Sequence, residues 1–187
     1  ASNATESASS NLKDDGKVLN IYCWNEEFKS RITAHYPDYK EVDATHGKIG
    51  DVDVVWNITP SDDNAYQNNL DAALLNQQDA PADDKIDIFL VEADNALKYV
   101  DTDYTAPVKD LGITDADLSK QYQYTKDIVT DSKGVLKGVS WQGCPGVLFY
   151  NREAAKDVLG TDDPDEVQNY VRSEERRVGK ECTLSCR

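Results

Sequence analysis

The sequence predicts an α/β fold with a mostly parallel sheet that helices flank on both faces. Short apolar segments, rich in β-branched residues, alternate with longer segments that have helical periodicity. Strand–helix–strand–helix order is typical of parallel strands joined through crossover helices. The length of 187 residues is enough for one domain and part of another.

The first predicted strand covers residues 17–23, whose sequence KVLNIYC is apolar with one polar interruption. Asn25 can then cap a helix that runs to about Tyr36, since its side-chain oxygen accepts hydrogen bonds from free amides of the first turn. Phe28 and Ile32 lie four residues apart and predict the face of this helix that packs on the sheet.

A second strand–helix unit follows. The predicted strand is residues 53–58, DVVWNI, and Trp56 within it is interpreted as a core residue. The apolar positions of the next helix are Ala65, Tyr66, Leu70, Ala73 and Leu74. A polar loop at 77–85 leads to the third predicted strand, residues 86–91, IDIFLV.

The rest of the chain is less regular. Asp94 is predicted to start a short helix, residues 101–133 are irregular, and a hairpin at 132–141 is expected to turn at Gly134. The last predicted elements are a strand at 146–150, a helix at 152–159, and a helix that opens at Asp165 behind the N-cap and N1 pair Asp163 and Pro164.

The charge indicates which partners to exclude. A formal net charge of −15 would repel nucleic acid and anionic membranes across the whole surface. No segment approaches the about 20 apolar residues of a membrane-spanning helix. The composition fits a protein that works outside the cell.

Both ends of the chain differ from the body. Residues 1–16 are small and polar, and we predict a disordered tether. Residues 172–187 carry five basic and three acidic side chains, in contrast to the acidic body. Their sequence RSEERRVGKEC resembles the translation of a sequencing-library adapter, so we interpret this segment as a non-native tail without function.

Polar and aromatic side chains follow the predicted strands at 24–27, 57–63, 92–95 and 141–144. Ligands of parallel sheets bind beyond the carboxyl ends of the strands. Tryptophan rings can cover the apolar faces of a sugar, and carboxylates and amides can bind its hydroxyls. The predicted ligand-binding residues are Trp24, Asn25, Glu26, Glu92, Asp94, Trp141 and Gln142.

Catalysis is not predicted. Glu26 and Glu27 are adjacent at a helix start and point in different directions, unlike the facing carboxylates of a glycosidase. His35 is expected on a helix flank and His46 in a loop, and no nucleophile elbow or Gly-rich phosphate loop occurs. The segment 101–103 lacks the Gly and distal Glu of a calcium loop. We therefore predict no catalytic residue, no metal and no cofactor.

Two cysteines of the body, Cys23 and Cys144, follow predicted strands. They could form a disulfide outside the cell if their Cα atoms lie within about 7 Å of each other. Two buried free thiols are the other interpretation, and the sequence leaves both open.

Three segments carry a family resemblance: KVLNIYCW, DIFLVEADNALKYV and GVLKGVSWQGCPGVLFYNREAAKDVLG. They resemble the extracellular solute-binding proteins of bacterial ABC sugar importers, the maltose-binding-protein-like family, over residues 17–171. The resemblance implies a periplasmic-binding-protein-like fold, with two α/β lobes hinged around a ligand cleft. Residues 17–142 would form the first lobe, and residues 143–171 would form the hinge crossing and the start of a second lobe that is only begun.

The resemblance also implies functional assignments. Glu26 and Asp94 match acidic residues that bind ligand hydroxyls, whereas Cys144 stands where a carboxylate is expected, which Gln142 could replace. Asn95 stands where a basic residue is expected. The implied function is carbohydrate capture and delivery to a membrane permease by a monomer, held by a lipid anchor at the extracellular face of the membrane or located in the periplasm. A polyamine or another small solute is the alternative, since the predicted cleft is acidic, and a glycoside hydrolase is a weaker one.

Overall fold

The computed structural model describes residues 16–143 and 149–171. The chain divides into two compact units, Ala1–Gly143 and Cys144–Arg187. None of the helices in the described ranges has the length and apolar character to cross a membrane.

The first unit is built on a mixed sheet of five strands in the order β2-β3-β4-β1-β5. The strands are β1 Val18–Cys23, β2 Tyr39–Glu41, β3 His46–Ile49, β4 Val52–Ile58 and β5 Ile88–Phe89. Strand β1 lies between β4 and β5 and runs parallel to both. Strands β2, β3 and β4 form an antiparallel meander. The predicted α/β lobe is therefore confirmed, with an antiparallel edge on its parallel centre.

The meander contains two strands that the sequence did not predict. The prediction of a loop at His46 was wrong, since this residue begins β3 and pairs with Val55. The segments are short and polar, and their side chains are mostly exposed, so hydrophobic periodicity gives no signal there. Gly50, with φ of 61°, makes the tight turn between β3 and β4.

Strand β5 is shorter than the predicted 86–91. Hydrogen bonds from Asp87 N to Asn20 O (3.1 Å) and from Leu90 N to Tyr22 O (3.0 Å) nevertheless continue its pairing with β1. Pairing therefore extends beyond the two residues with regular strand geometry.

Helices cover both faces of the sheet. The first unit contains the helices α1 Glu26–His35, α2 Ala65–Leu75, α3 Leu97–Val100 and α4 Gln123–Asp127. Phe28 of α1 packs on one face of the sheet, and Tyr66 of α2 and Tyr99 of α3 pack on the other. The N-cap prediction for α1 is confirmed, because Asn25 Oδ1 accepts a hydrogen bond from Glu27 N (2.9 Å). Asp94, in contrast, does not start a helix: α3 begins at Leu97, after a turn over 93–96.

Alternate residues of β1 serve two cores. Ile21 and Cys23 point into the first, and Tyr22 packs against the second. The buried residues of the first core are Ile21, Cys23, Phe28, Val54, Trp56 and Leu90. Those of the second are Tyr66, Leu70, Leu74, Ile86 and Tyr99. Burial of each large apolar side chain contributes about 1.5–3 kcal/mol, so the two cores hold the helices on the sheet.

The side chains of a buried asparagine and a half-buried glutamine tie the loop before β5 to its neighbours. Asn20, the polar interruption in β1, donates from Nδ2 to Asp83 O (2.8 Å) and Lys85 O (2.9 Å). Gln77 exchanges two hydrogen bonds of 2.9 Å with the backbone of Ile86, donating to its carbonyl and accepting from its amide. The two side chains thus provide hydrogen-bond partners for backbone groups of residues 83–86 that no strand pairs with.

The predicted hairpin at 132–141 is reduced to one antiparallel bridge between Thr130 and Leu136. The turn is at Gly134, as predicted, with φ of 78°. Asp131 Oδ1 accepts hydrogen bonds from Lys133 N (2.9 Å) and Val135 N (2.7 Å). The Asp131 side chain thus binds the free amides of the turn, and the described chain forms no ladder beyond this single bridge.

The second unit contains α5 Arg152–Leu159 and α6 Pro164–Val171. Asn151 caps α5 by accepting from Ala154 N (3.1 Å), and Asp163 caps α6 by accepting from Asp165 N (3.0 Å). Helix α6 begins at Pro164, one residue before the prediction. Most of the predicted strand 146–150 lies outside the described residues, and its last two residues are not in a strand.

Candidate functional site

The carboxyl ends of the three parallel strands lie at one edge of the sheet. Cys23, at the end of β1, is in register with Ile58 of β4, and Thr59 N donates to Cys23 O (3.0 Å). Trp24 follows β1, and residues 92–94 follow β5, which pairs with β1 in parallel. The topology therefore places two of the predicted groups of ligand-binding residues, 24–26 and 92–94, beyond the same edge.

Tyr66 joins the ends of β1 and β5. Its hydroxyl lies 2.7 Å from Leu90 O and 3.1 Å from Tyr22 O, and it accepts from Leu90 N (3.1 Å). The ring is 2% exposed, and burial raises the pKa of this phenol well above its ordinary value. Trp24 packs edge-to-face on Tyr66, with ring centroids 5.6 Å apart. Tyr66 thus supports the edge that carries Trp24.

The other predicted residues at this edge are exposed. Asn25 uses its side-chain oxygen as the cap of α1, and Glu26 lies in the first helical turn, where its charge is favourable to the helix dipole. Glu92 and Asp94 are exposed in the turn after β5, where Asp94 Oδ1 accepts from Asn95 Nδ2 (3.3 Å). Their role in ligand binding stays a prediction.

Trp141 and Gln142 contact helix α1. The Trp141 ring lies edge-to-face with Phe28, with centroids 5.3 Å apart and an interplanar angle of 64°. Gln142 Nε2 donates to Glu27 Oε1 (3.4 Å), and the backbone carbonyl of Gln142 accepts from Ser140 Oγ (2.6 Å). Two segments that are distant in sequence are therefore held side by side.

Between them lies a groove of about 360 Å³. It is lined by Glu27, Phe28, Arg31, Ile32, His35, Trp141 and Gln142. We call this the α1 groove. Two of the predicted ligand-binding residues, Trp141 and Gln142, belong to it, and the other five do not line it.

The chemistry of the α1 groove is mixed. Phe28, Ile32 and Trp141 give apolar surface, while Gln142 offers an amide and Glu27 a carboxylate. Glu27 also pairs with Arg31 at 3.6 Å in an exposed ion pair, which contributes little to stability and leaves both groups able to bind a ligand. Such a surface can cover a ring while hydrogen-bonding its substituents.

Arg31 and His35 line the groove but were not predicted as functional residues. Glu27, Arg31 and His35 recur every four residues, which is the spacing of one helix face. The neighbouring Phe28 and Ile32 were interpreted as packing on the sheet. Ile32 is instead 42% exposed and lines the groove, so the apolar face of α1 is in part exposed to solvent here.

Glu26 lines a second hollow, of about 440 Å³, beside the same helix. Its other residues are Lys29, Ser30, Thr33, Ala34, Tyr39 and Glu41. Lys29 is buried, donates to Ala44 O (2.6 Å) and pairs with Glu41 (3.3 Å). This lysine is therefore occupied in fixing α1 to the β2–β3 loop.

Cys23 is a free and fully buried thiol. Burial raises its pKa to about 11, so the thiol is protonated at neutral pH and is a poor nucleophile. Of the two interpretations of this cysteine, the structure has the buried free thiol, while Cys144 lies outside the described residues. Within 16–143 and 149–171, no group of three or more His, Cys, Asp and Glu side chains is arranged to hold a metal ion.

Comparison with known proteins adds one finding to this geometry. A family model described as bacterial extracellular solute-binding protein matches residues 39–180. The match covers more than half of the chain and extends into the segment 172–187, whose interpretation as a non-native tail stays a prediction. No curated protein and no solved structure matches.

Proposed function

We propose that this chain, which belongs to the family of bacterial extracellular solute-binding proteins, binds a carbohydrate as its solute. Proteins of this family bind small solutes and work with ABC permease subunits. In this proposal the protein is a monomer at the extracellular face of the membrane, lipid-anchored through the tether 1–16, or is periplasmic. It captures the sugar without chemical conversion and delivers it to the permease.

The observation that carries the proposal is the α1 groove. Trp141 is held against Phe28, yet it remains partly exposed and lines the groove. Gln142 and Glu27 stand beside this aromatic surface, already within 3.4 Å of each other. An aromatic face next to an amide and a carboxylate matches the apolar faces and hydroxyl rim of a sugar ring.

The α1 groove favours a neutral polyol over a polyamine. A polyamine site needs uncompensated carboxylates to balance the desolvation of its cations. In the groove the carboxylate of Glu27 faces the guanidinium of Arg31, and His35 lies one turn further. Carbohydrate hydroxyls, in contrast, can donate to Glu27 and accept from Gln142 and Arg31 together.

The three tryptophans of the chain allow a direct test. The ¹⁵N-labelled protein is titrated with neutral gluco-oligosaccharides and, separately, with spermidine, while the indole N–H resonances are followed by NMR. We expect the Trp141 resonance to move with the sugars. Trp56 is the internal control, because it is 3% exposed and its Nε1 donates to Tyr39 Oη (3.1 Å).

Two substitutions sharpen the test. Gln142→Ala should weaken sugar binding, whereas Gln78→Ala, at an exposed glutamine outside the groove, should not. Glu26→Gln tests the predicted carboxylate contact. If Glu26 binds a hydroxyl, the substitution costs about 1.5–3 kcal/mol, or roughly 10–150-fold in affinity.

Three outcomes would contradict the proposal. One is a Trp141 resonance that stays fixed at millimolar sugar, and a second is a shift with spermidine alone, which would favour the polyamine alternative. The third is release of reducing sugar that Glu26→Gln abolishes, which would indicate a glycoside hydrolase.

A further inference from the structure

Tyr122 and Tyr124 form an exposed aromatic pair that lies outside the predicted ligand-binding residues. Their ring centroids are 5.8 Å apart and their planes are inclined by only 19°, so the rings are stacked. Tyr122 is 69% exposed and Tyr124 is 40% exposed. Thr125, the residue after Tyr124, is buried and fixes the start of α4, since its hydroxyl donates to Tyr122 O (2.7 Å). We call this pair the tyrosine platform.

The tyrosine platform is connected to the segment that carries Trp141. Gln121 Nε2 donates to Ser140 O (2.8 Å), which joins the residue before Tyr122 to the residue before Trp141. At the other end of this segment, a Cβ atom on Gly143 would lie 3.4 Å from Tyr124 Oη and 3.6 Å from the Tyr122 ring. The platform therefore borders residues 140–143 at both ends.

This arrangement sets the distance from the platform to the α1 groove. Trp141 and Gly143 are two residues apart, so their Cα atoms are separated by at most about 7 Å. The Trp141 side chain points to Phe28 in the groove, while Gly143 abuts the platform. A ligand that touches both aromatic surfaces must extend past this short segment, which neighbouring rings of one oligosaccharide can do.

We propose that the tyrosine platform is a second aromatic subsite, which binds an adjacent ring of the ligand held in the α1 groove and so selects oligosaccharides over monosaccharides. This inference rests on the proposed carbohydrate function. The stacked rings present an apolar face, and the phenol hydroxyls offer hydrogen bonds at the rim. The absence of a side chain at Gly143 leaves the Tyr124 hydroxyl uncovered on that side.

The test compares ligand length and platform variants in the complete chain. Glucose and its β-1,4- and α-1,4-linked oligomers, up to the hexasaccharides, are titrated against the parent, Tyr122→Ala, Tyr124→Ala and Tyr122→Phe. We expect affinity in the parent to rise from the monosaccharide to the oligosaccharides. Each alanine variant should lose roughly 3–10-fold for oligosaccharides, which is the value of one aromatic stacking contact, and nothing for glucose. Tyr122→Phe should retain most of the length dependence.

The control is Tyr104→Ala, because Tyr104 is exposed to a similar degree and lies in another loop. Thermal unfolding of each variant shows whether it is folded. The two alanine variants remove different rings of the platform, so either one that folds keeps the test decisive. Oligosaccharide binding that is identical in the parent and the alanine variants would overturn the subsite while leaving the proposed function intact. Absence of any sugar-induced shift at Trp141 would overturn the proposed function itself.

A third outcome concerns protein partners. Loss of concentration-dependent self-association in Tyr122→Ala, measured by analytical ultracentrifugation without a change in sugar affinity, would identify the platform as a contact between copies of the chain. That result would also overturn the subsite.

Discussion

The hydroxyl of Tyr66 provides the most direct test of how the edge of the sheet is held. Tyr66→Phe removes one oxygen and keeps the ring, so the packing on Trp24 and within the second core remains. Leu90 N retains its hydrogen bond to Tyr22 O (3.0 Å). Leu90 O, which lies 2.7 Å from the hydroxyl, loses this donor in a residue that is 7% exposed.

A buried acceptor without a partner costs about 1–3 kcal/mol, and the phenylalanine ring recovers a small part of this because no hydroxyl must be desolvated. We therefore expect Tyr66→Phe to lower the free energy of unfolding by about 1–2 kcal/mol. For a chain of this size the melting temperature should fall by roughly 2–8 °C.

Urea denaturation followed by circular dichroism measures the change, and hydrogen exchange at the Leu90 amide shows whether the strand end opens locally. Tyr104→Phe is the matched control, because Tyr104 is exposed and its hydroxyl has no hydrogen-bond partner in the described structure. Equal stability of Tyr66→Phe and the parent would refute the reasoning. An equal loss in the control would do so as well.

Two further predictions concern loops. Gln77→Ala should cost about 1–3 kcal/mol in urea denaturation, because it removes both side-chain hydrogen bonds to the buried Ile86 backbone, while Gln78→Ala at the exposed neighbour should cost almost nothing. Hydrogen bonds from Thr45 N and from His46 hold the pKa of Asp43 at about 2, below the ordinary value of 3.8. The charged form of Asp43 therefore stabilises the fold above about pH 4, and this stabilisation is lost as the pH falls toward 2. The free energy of unfolding should therefore fall more steeply over this interval in the parent than in Asp43→Asn, and parallel pH profiles would argue against this role.

Elements with a strong local signal were predictable. The apolar run of β1 and the caps Asn25 and Asp163 located a strand and two helices, because cap chemistry and burial both act within a few residues. The strands β2 and β3 gave no such signal. Their stability comes from pairing with β4, a tertiary effect that hydrophobic periodicity does not report.

The candidate site was predictable in part. Strand ends of a parallel sheet pointed to Trp24 and to residues 92–94, and the topology places both beyond one edge. The α1 groove was not predictable, because it forms only where the segment before Gly143, which has little regular secondary structure, packs against α1. The contacts of Trp141 with Phe28 and of Gln142 with Glu27 bring it there. The tyrosine platform depends on the same segment.

The position of β1 has a consequence for how the chain reaches this structure. β1 precedes the other strands in sequence, yet both of its partners, β4 and β5, are made later. The meander β2–β3–β4 can form from local contacts, whereas insertion of β1 must wait for distant ones. Until then, β4 and β5 each present an open edge to a strand of matching polarity. A β1 strand from another copy of the chain can fill this gap. Refolding at high protein concentration should therefore yield a larger share of strand-swapped dimers than refolding at low concentration.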